Sequence, residues 1–439
     1  MPCLSDRISE RKLLDLRPSS RNARKHDRKQ IRQIAHSIER FGFNNPVLVT
    51  GDGKIICGRG RVEAARLLGL SEVPTLRLDH LSPDDLRAYA LADNRIALDA
   101  TWDNELLEIE LQHLIEIDFD ISLTGFTTTE IDLTLGEVRP VADDPTDEPM
   151  TDDGYPPVTR LGDIWILGQH RLICGDAQDP RIIARLLEGG EEAGLVFTDP
   201  PYNVPIQGHV SGLGKNKHRE FAFASGEMSS EEFTASLAIT LCIAASKLKN
   251  GGLAYVYMDW RHMSELLRAG ELAFDELKQL CVWNKSNAGM GSFYRSKHEL
   301  IFVFKVGSGQ HTNNFGLGDG GRYRTNVWDY PGMSSMSASR DAELAMHPTV
   351  KPVQLVQDAI LDCSNRGDVV LDMFGGSGTT LIAAERIGRK ARLVEIDPRY
   401  CDTIIRRFET VTGKRATLGP DGPEFGILSA VTPHALEEV

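Results

Sequence analysis

Apolar positions along residues 158–411 fall into short runs separated by stretches of helical spacing. The runs at Ile164–Leu167, Leu195–Thr198, Gly252–Tyr257, Leu300–Phe304, Val369–Met373 and Arg392–Ile396 are rich in β-branched and aromatic side chains, and each predicts a buried strand. Helices are predicted near 230–249, 262–270, 352–363, 379–388 and 398–411. Strands that alternate with helices in this way predict a mostly parallel sheet covered by helices.

Residues 8–136 follow another rhythm. Ile31, Ile34, Ala35 and Ile38 line one face of a helix over Arg28–Phe41. Strands follow at Pro46–Thr50 and Lys54–Cys57, joined by a Gly-Asp-Gly turn. The run GRGRVEAARLLGL (58–70) leads from a glycine turn into a helix, and Pro83 to Ile117 is mainly helical. The prediction is a small α+β domain. Between the two parts, 137–157 (EVRPVADDPTDEPMTDDGYPP) holds too few large apolar residues to order itself and reads as a linker. The domain proper is expected to end near 415, with 416–439 a loosely held tail.

The net charge of −14 argues at first against a nucleic-acid partner, since phosphate binding needs local positive charge. Its placement weakens the objection. The linker carries a net −6 between Glu137 and Asp153 and the tail a further −4, so the folded parts are close to neutral. Seven scattered cysteines form no CxxC pair and no metal-spaced cluster, and no metal site is expected. No stretch approaches the roughly 20 apolar residues of a membrane span, and Met1–Lys12 lacks an apolar signal core, so a cytoplasmic chain without a membrane partner is expected.

Two segments carry candidate chemistry. In LVFTDPPYNV (195–204) an apolar strand ends on Asp199, Pro200, Pro201 and Tyr202. Ligands bind at that end of a strand in open α/β sheets. The prolines stiffen the turn and remove backbone donors. What remains is a carboxylate, rigid carbonyls and an aromatic ring. An exocyclic base amine is a poor nucleophile, because its lone pair is delocalised into the ring. Acceptors on its two N–H bonds, the Asp199 carboxylate and the Pro200 carbonyl, favour the localised form, and Tyr202 can stack on the base. A base inside a duplex reaches such a pocket only by flipping out.

The second segment is VVLDMFGGSGTTLIAAERIG (369–388), a strand leading through Gly375, Gly376 and Gly378 into a helix. About twenty residues on, RLVEID supplies Glu395 at the distance of a ribose-binding acid. The ligand by this reading is a dinucleotide or S-adenosylmethionine. The loop lacks the P-loop lysine, which disfavours a triphosphate.

Together these residues resemble the permuted (beta) group of DNA amino-methyltransferases, in which the catalytic tetrapeptide precedes the glycine loop. The resemblance covers nearly all of 158–411 and implies a Rossmann-like methyltransferase fold with S-adenosylmethionine as cofactor and double-stranded DNA as substrate. It further implies that Asp176 and Ala177 of CGDA read the adenine of the cofactor. Lys351 of HPTVKP would lie near the methionine carboxylate. Phe374, Gly375, Gly376, Ser377, Gly378 and Thr379 would line the methionine end, and Glu395 would take the ribose. DPPY rather than SPPY favours adenine N6 over cytosine N4. Arg322, Arg324 and Asn326, in the polar stretch between Lys305 and His347, are expected to read base edges. Lys215, Lys217 and Arg219 would close over phosphates. A homodimer is expected by the same resemblance.

Residues from RPSSRNARKHD through SIERFGFNNPVLV to GRGRVEAARLLG and LADNRIA resemble the ParB/sulfiredoxin-like fold. By that match Gly58, Arg59, Gly60 and Arg61 form a phosphate turn for a CTP-like nucleotide. Arg59 stands where sulfiredoxins keep their cysteine. No helix-turn-helix is read in 85–136. The competing readings are a cytosine-N4 enzyme and a ParB-type nucleotide-binding adaptor with an inactive methyltransferase domain. A dinucleotide dehydrogenase leaves DPPY without a task.

Overall fold

The computed structural model describes residues 8–19, 24–96, 99–117, 119–135, 156–203, 226–286, 294–315, 323–332 and 351–431, in two compact units that divide at residue 136. The first unit runs β1 (Ile8–Lys12), α1 (Arg28–Phe41), β2 (Val47–Val49), β3 (Ile55–Cys57), α2 (Arg59–Leu67), β4 (Glu72–Arg77), α3 (Pro83–Ile96), α4 (Asn104–Glu116) and α5 (Thr128–Thr134). Its sheet has the order β1-β4-β2-β3. Val47, Val49, Ile55, Val62, Ala65 and Val73 pack with Leu13 and Leu16 into one core. The outer pair β1–β4 was not legible. Ile8–Lys12 is polar and almost wholly exposed, and Pro74 interrupts the alternation of Val73 and Thr75.

The second unit holds β5 (Ile164–Leu167), β6 (His170–Cys174), α6 (Pro180–Leu186), β7 (Ala193–Thr198), α7 (Ser230–Ala245), β8 (Leu248–Met258), α8 (Met263–Ala273), β9 (Glu276–Asn284), β10 (His298–Lys305) and β11 (Val327–Asp329). It continues with α9 (Val353–Cys363), β12 (Val369–Asp372), α10 (Thr379–Arg386), β13 (Lys390–Glu395), α11 (Pro398–Thr412), β14 (Ala416–Leu418) and α12 (Phe425–Val431). The sheet order is β11-β9-β10-β8-β7-β12-β13-β6-β5-β14. β8, β7, β12, β13 and β6 are parallel, while β10 and β5 add antiparallel flanks. The mostly parallel Rossmann-like reading therefore holds for the part of the sheet that carries the candidate site.

Successive side chains of a strand point to opposite faces. Tyr255 and Tyr257 of β8 accordingly join the core under α9, α10 and α11. Ala254, Val256 and Met258 join the core under α6, α7 and α8. The expected tail from 416 is corrected for its described part: β14 pairs with β5, and Phe425, only 2% exposed, meets the Trp165 ring at 5.4 Å. Its glycines and prolines make the turn that returns the chain, as Leu418 N donates to Pro423 O. Of the acidic stretch 137–157, residues up to 155 lie outside the described residues.

Candidate active site

The site is built from the carboxyl ends of four adjacent parallel strands, β7, β12, β13 and β6. β7 and β12 are hydrogen-bonded neighbours, with Leu195 opposite Val370 and Val196 opposite Leu371. The Asp-Pro-Pro-Tyr corner and the glycine turn, 175 residues apart in sequence, thus leave the same edge of the sheet side by side. Buried hydrogen bonds lace them together. Thr198 Oγ1 donates to Asp372 Oδ1 at 3.1 Å and accepts from Met373 N at 3.2 Å. Thr380 Oγ1 donates to Asp372 Oδ2 at 2.7 Å, and Phe374 N donates to Oδ1 at 3.1 Å. Burial lifts the Asp372 carboxyl to about 7, against the pull of these donors.

The turn itself requires glycine for two reasons. Gly376 and Gly378 have φ of +52° and +79°, which side chains rarely adopt. An added Cβ at Gly378 would also lie 3.0 Å from Ile404 of α11. Phe374, Gly376 and Ser377 are half-buried on the outer side of the turn, while Gly375 and Thr379 are buried. Arg407 anchors it from below, donating to Ser377 O at 2.8 Å and to Thr379 Oγ1 at 3.2 Å.

At the end of β13 the Glu395 carboxylate accepts from Gly376 N at 2.8 Å and from Asp397 N at 2.9 Å. A carboxylate offers about four lone-pair sites, so donors beyond these backbone groups can still be accepted. Burial raises this carboxyl to about 7, with those two N–H groups opposing. At the end of β6, Asp176 is exposed and caps its own turn through Gln178 N, and Ala177 is buried beside it. A buried carboxylate with open lone pairs, a half-exposed phenyl ring, a left-handed glycine and a second, exposed carboxylate follow one another along the edge. That donor set fits an adenosine-bearing ligand.

The catalytic corner is a cluster of charges. Tyr202 Oη donates to Asp199 Oδ1 at 2.5 Å, and Lys351 Nζ donates to Asp199 Oδ2. Lys351 Nζ also lies 3.2 Å from Glu299 Oε2 and 4.6 Å from the centre of the Tyr257 ring. Lys285 forms a second ion pair with Glu299. Burial raises Asp199; Lys351 opposes this and the Glu299 charge reinforces it. Burial pushes Glu299 up as well, but Lys351 and Lys285 outweigh it and hold this carboxyl at about 2. Lys351 was expected at a methionine carboxylate. Its side chain pairs with Asp199 and Glu299, and its backbone carbonyl accepts from Thr379 Oγ1 of the glycine turn at 3.5 Å.

Sequence reasoning missed Glu299, Lys285 and Tyr257 in this cluster. It also missed Asn203, which is 7% exposed with φ of +53°. The Asn203 side chain accepts from Gly226 N and Met228 N and donates to Met228 O at 2.8 Å. It therefore ties the residue after the tetrapeptide to the segment that leads into α7. The signal was a lone buried amide after a strand, which pattern alone does not separate from a turn.

The expected DNA-contacting residues are only partly within view. Lys215, Lys217, Arg219 and Arg322 lie outside the described residues. Arg324 is corrected. Its Nε donates to Asp362 Oδ2 at 3.1 Å, its Nη1 donates to Tyr330 Oη at 2.8 Å, and the guanidinium sits 5.3 Å from the centre of the Trp328 ring. A guanidinium held inside the fold in this way does not read base edges. The amide of Asn326 is likewise engaged, with Nδ2 donating to Leu280 O at 3.0 Å beside the β11–β9 pairing.

In the first unit, Gly58 is the left-handed N-cap of α2, with φ of +94°. Arg59 lies 3.8 Å from Glu63, and Gly60 is buried against Ile34 and His26. Arg61 turns back to donate to Asn45 O at 3.1 Å. Gly58 and Arg59 are thus free of the core, whereas Gly60 serves helix packing.

Comparison with known proteins agrees with both halves. A family described as DNA methylase (N6/N4) matches residues 193–406. The ParB N-terminal domain matches 4–95, and the ParB-methyltransferase HTH domain matches 105–161. The last corrects the reading that no helix-turn-helix follows the ParB-like part. Helical periodicity failed there because Leu106 and Ile109 of α4 are exposed and α5 has only seven residues. The ParB-like nuclease domain-containing protein YnaK of Escherichia coli (strain K12) is 42% identical over 78 residues, 18% of this chain and 90% of that protein. The DNA adenine methyltransferase YhdJ of the same organism is 28% identical over 250 residues, 51% of this chain and 78% of that protein. The crystal structure of an M1.HpyAVI–SAM complex is similar with 19% identity and a TM-score of 0.38, covering 54% of this chain and 98% of that one. The chain carries a DNA methylase domain of N6/N4 type, preceded by a ParB N-terminal domain and a ParB-methyltransferase helix-turn-helix segment.

Proposed function

We propose that the methylase domain transfers a methyl group to the N6 amine of a flipped adenine in duplex DNA, with S-adenosylmethionine as donor. One observation carries the reading: the Asp199 corner and the glycine turn stand side by side on one sheet edge, tied through Thr198 and Asp372. The donor supplies a methyl group on a positively charged sulfur, so the protein needs neither a strong base nor a covalent intermediate. Glu395 holds the ribose hydroxyls, Asp176 the adenine amine of the donor, and Phe374 with Gly376 the methionine end. Asp199 and the Pro200 carbonyl accept the two N–H bonds of the target amine and localise its lone pair. Tyr202 stacks on the base, repaying part of the few kcal/mol of flipping. Orientation in a dry pocket supplies most of the acceleration.

The adenine assignment rests on Asp at the head of the tetrapeptide and on the likeness to YhdJ. Mass spectrometry of nucleosides from duplex DNA treated with the chain and a labelled donor is expected to return N6-methyladenine. Labelled N4-methylcytosine in its place would overturn the choice of base.

Donor binding carries a pH signature. Glu395 has a raised folded-state pKa of about 7, so it is increasingly neutral below that pH. Ribose hydroxyls donate better to the ionised form. Affinity is therefore expected to rise between about pH 6 and about pH 8, by up to about tenfold per unit below the pKa. Calorimetric titration should show this, and Glu395→Gln should flatten the profile. A flat profile in the parent would remove Glu395 from the ribose.

A further inference from the structure

Asp199 is masked from the amine it is read to receive. Oδ1 accepts from Tyr202 Oη, and Oδ2 accepts from Lys351 Nζ. A lysine ammonium is a far stronger partner for a carboxylate than a neutral base amine. Localising the amine's lone pair therefore requires Lys351 to give ground, and its side chain is only 6% exposed. The strand order β10-β8-β7 puts a second carboxylate within reach. Glu299 of β10 lies 3.2 Å from Lys351 Nζ and 3.5 Å from Tyr202 Oη. Tyr257 of β8, the strand between them, places its ring 4.6 Å from the ammonium, a face along which a cation can slide.

We infer that Glu299 is a positioning residue, which takes over Lys351 and Tyr202 from Asp199 as the target amine arrives. The inference rests on the reading of Asp199 as the amine's acceptor. The exchange trades hydrogen bonds and breaks no covalent bond. Asp199 and Glu299 each carry a negative charge, and Lys351 and Lys285 each a positive one, so the cluster stays neutral throughout. Two lysines hold Glu299 fully ionised, so it is ready to receive Lys351. Baring Asp199 then requires a shift between two existing partners rather than the release of a cation into an apolar wall.

Glu299→Gln keeps the shape and removes the charge, leaving Lys351 on Asp199. In methyl-transfer assays at saturating donor, kcat is expected to fall on the order of tenfold to a hundredfold, with donor KM and donor affinity within about twofold of the parent. Glu299→Asp, which retains the charge, should keep most of the activity. Should Glu299→Gln fail to fold, shown by loss of donor binding, equal loss in the Asp variant would contradict the inference. The sharper test is Glu299→Gln/Lys351→Met. With the competing cation also gone, the double variant is expected to transfer methyl faster than Glu299→Gln alone. A structural role predicts further damage, and a double variant no faster than the single one overturns the inference, as does a Glu299→Gln variant with parental kcat. Asp199→Ala in the same assay separates the two levels: activity there would defeat the reading of Asp199, whereas inactivity beside an unaffected Glu299→Gln defeats only the handover.

Discussion

Asp199→Ala is expected to reduce methyl transfer to duplex DNA by about 10³-fold or more while leaving donor binding within about twofold, since removal of a positioned proton-accepting group costs on the order of 10²–10⁴ in rate. By the proposed assignment the carboxylate faces the target base, whereas Glu395, Asp176 and the glycine turn on neighbouring strands would hold the donor. The variant should also fold. Lys351 keeps Glu299 as partner at 3.2 Å, so no buried ammonium is left alone. Incorporation of a tritiated methyl group reads the first quantity and calorimetric titration the second. Transfer within about threefold of the parent would remove Asp199 from the chemistry.

Arg324→Ala is expected to destabilise the methylase unit by about 3–5 kcal/mol, the range for breaking a buried ion pair from one side. Its guanidinium is the hub of a network that includes Asp362 at 3.1 Å and Tyr330 at 2.8 Å, and Tyr330 Oη in turn donates to Asp358 at 2.6 Å. Burial alone would weaken the guanidinium's charge, but Asp362, Tyr330 and Asp358 together raise its pKa. Removing it takes a cationic partner from Asp362, which is 3% exposed on α9. Denaturant melts should show the loss as a lower midpoint. A parental midpoint accompanied by relaxed sequence preference would restore Arg324 as a base reader.

These two residues mark where the sequence was legible and where it was not. Asp199 announces itself because its whole setting is local: an apolar run, then a carboxylate and two prolines. The glycine turn and Glu395 are local for the same reason, and all three lie where their strands end. What joins them is pairing between β7 and β12, which no local pattern states. Arg324 misled because an arginine in a polar, glycine-rich segment looks solvated. The contrary signal lay elsewhere: Asp358 and Asp362 stand one helical turn apart on the buried helix VQLVQDAILDC, and two buried acids call for a cation. Glu299 was hidden at the head of an apolar strand, HELIFVFK, where a charge reads as an exposed end. Its partners Lys285 and Lys351 come from positions 14 residues before it and 52 after it, and only the fold unites them. The reach from 416 onward was lost for a simpler cause: Ala416 and Phe425 are scattered anchors in a stretch dominated by turn formers.

The most direct test of the shared edge is a crystal structure of the full chain with S-adenosylhomocysteine. The expected result has the ribose on Glu395 and the thioether sulfur between Phe374–Gly378 and Asp199, open to the Tyr202 side. A ligand seated on the opposite edge of the sheet, or with its sulfur turned away from Asp199, would contradict the account.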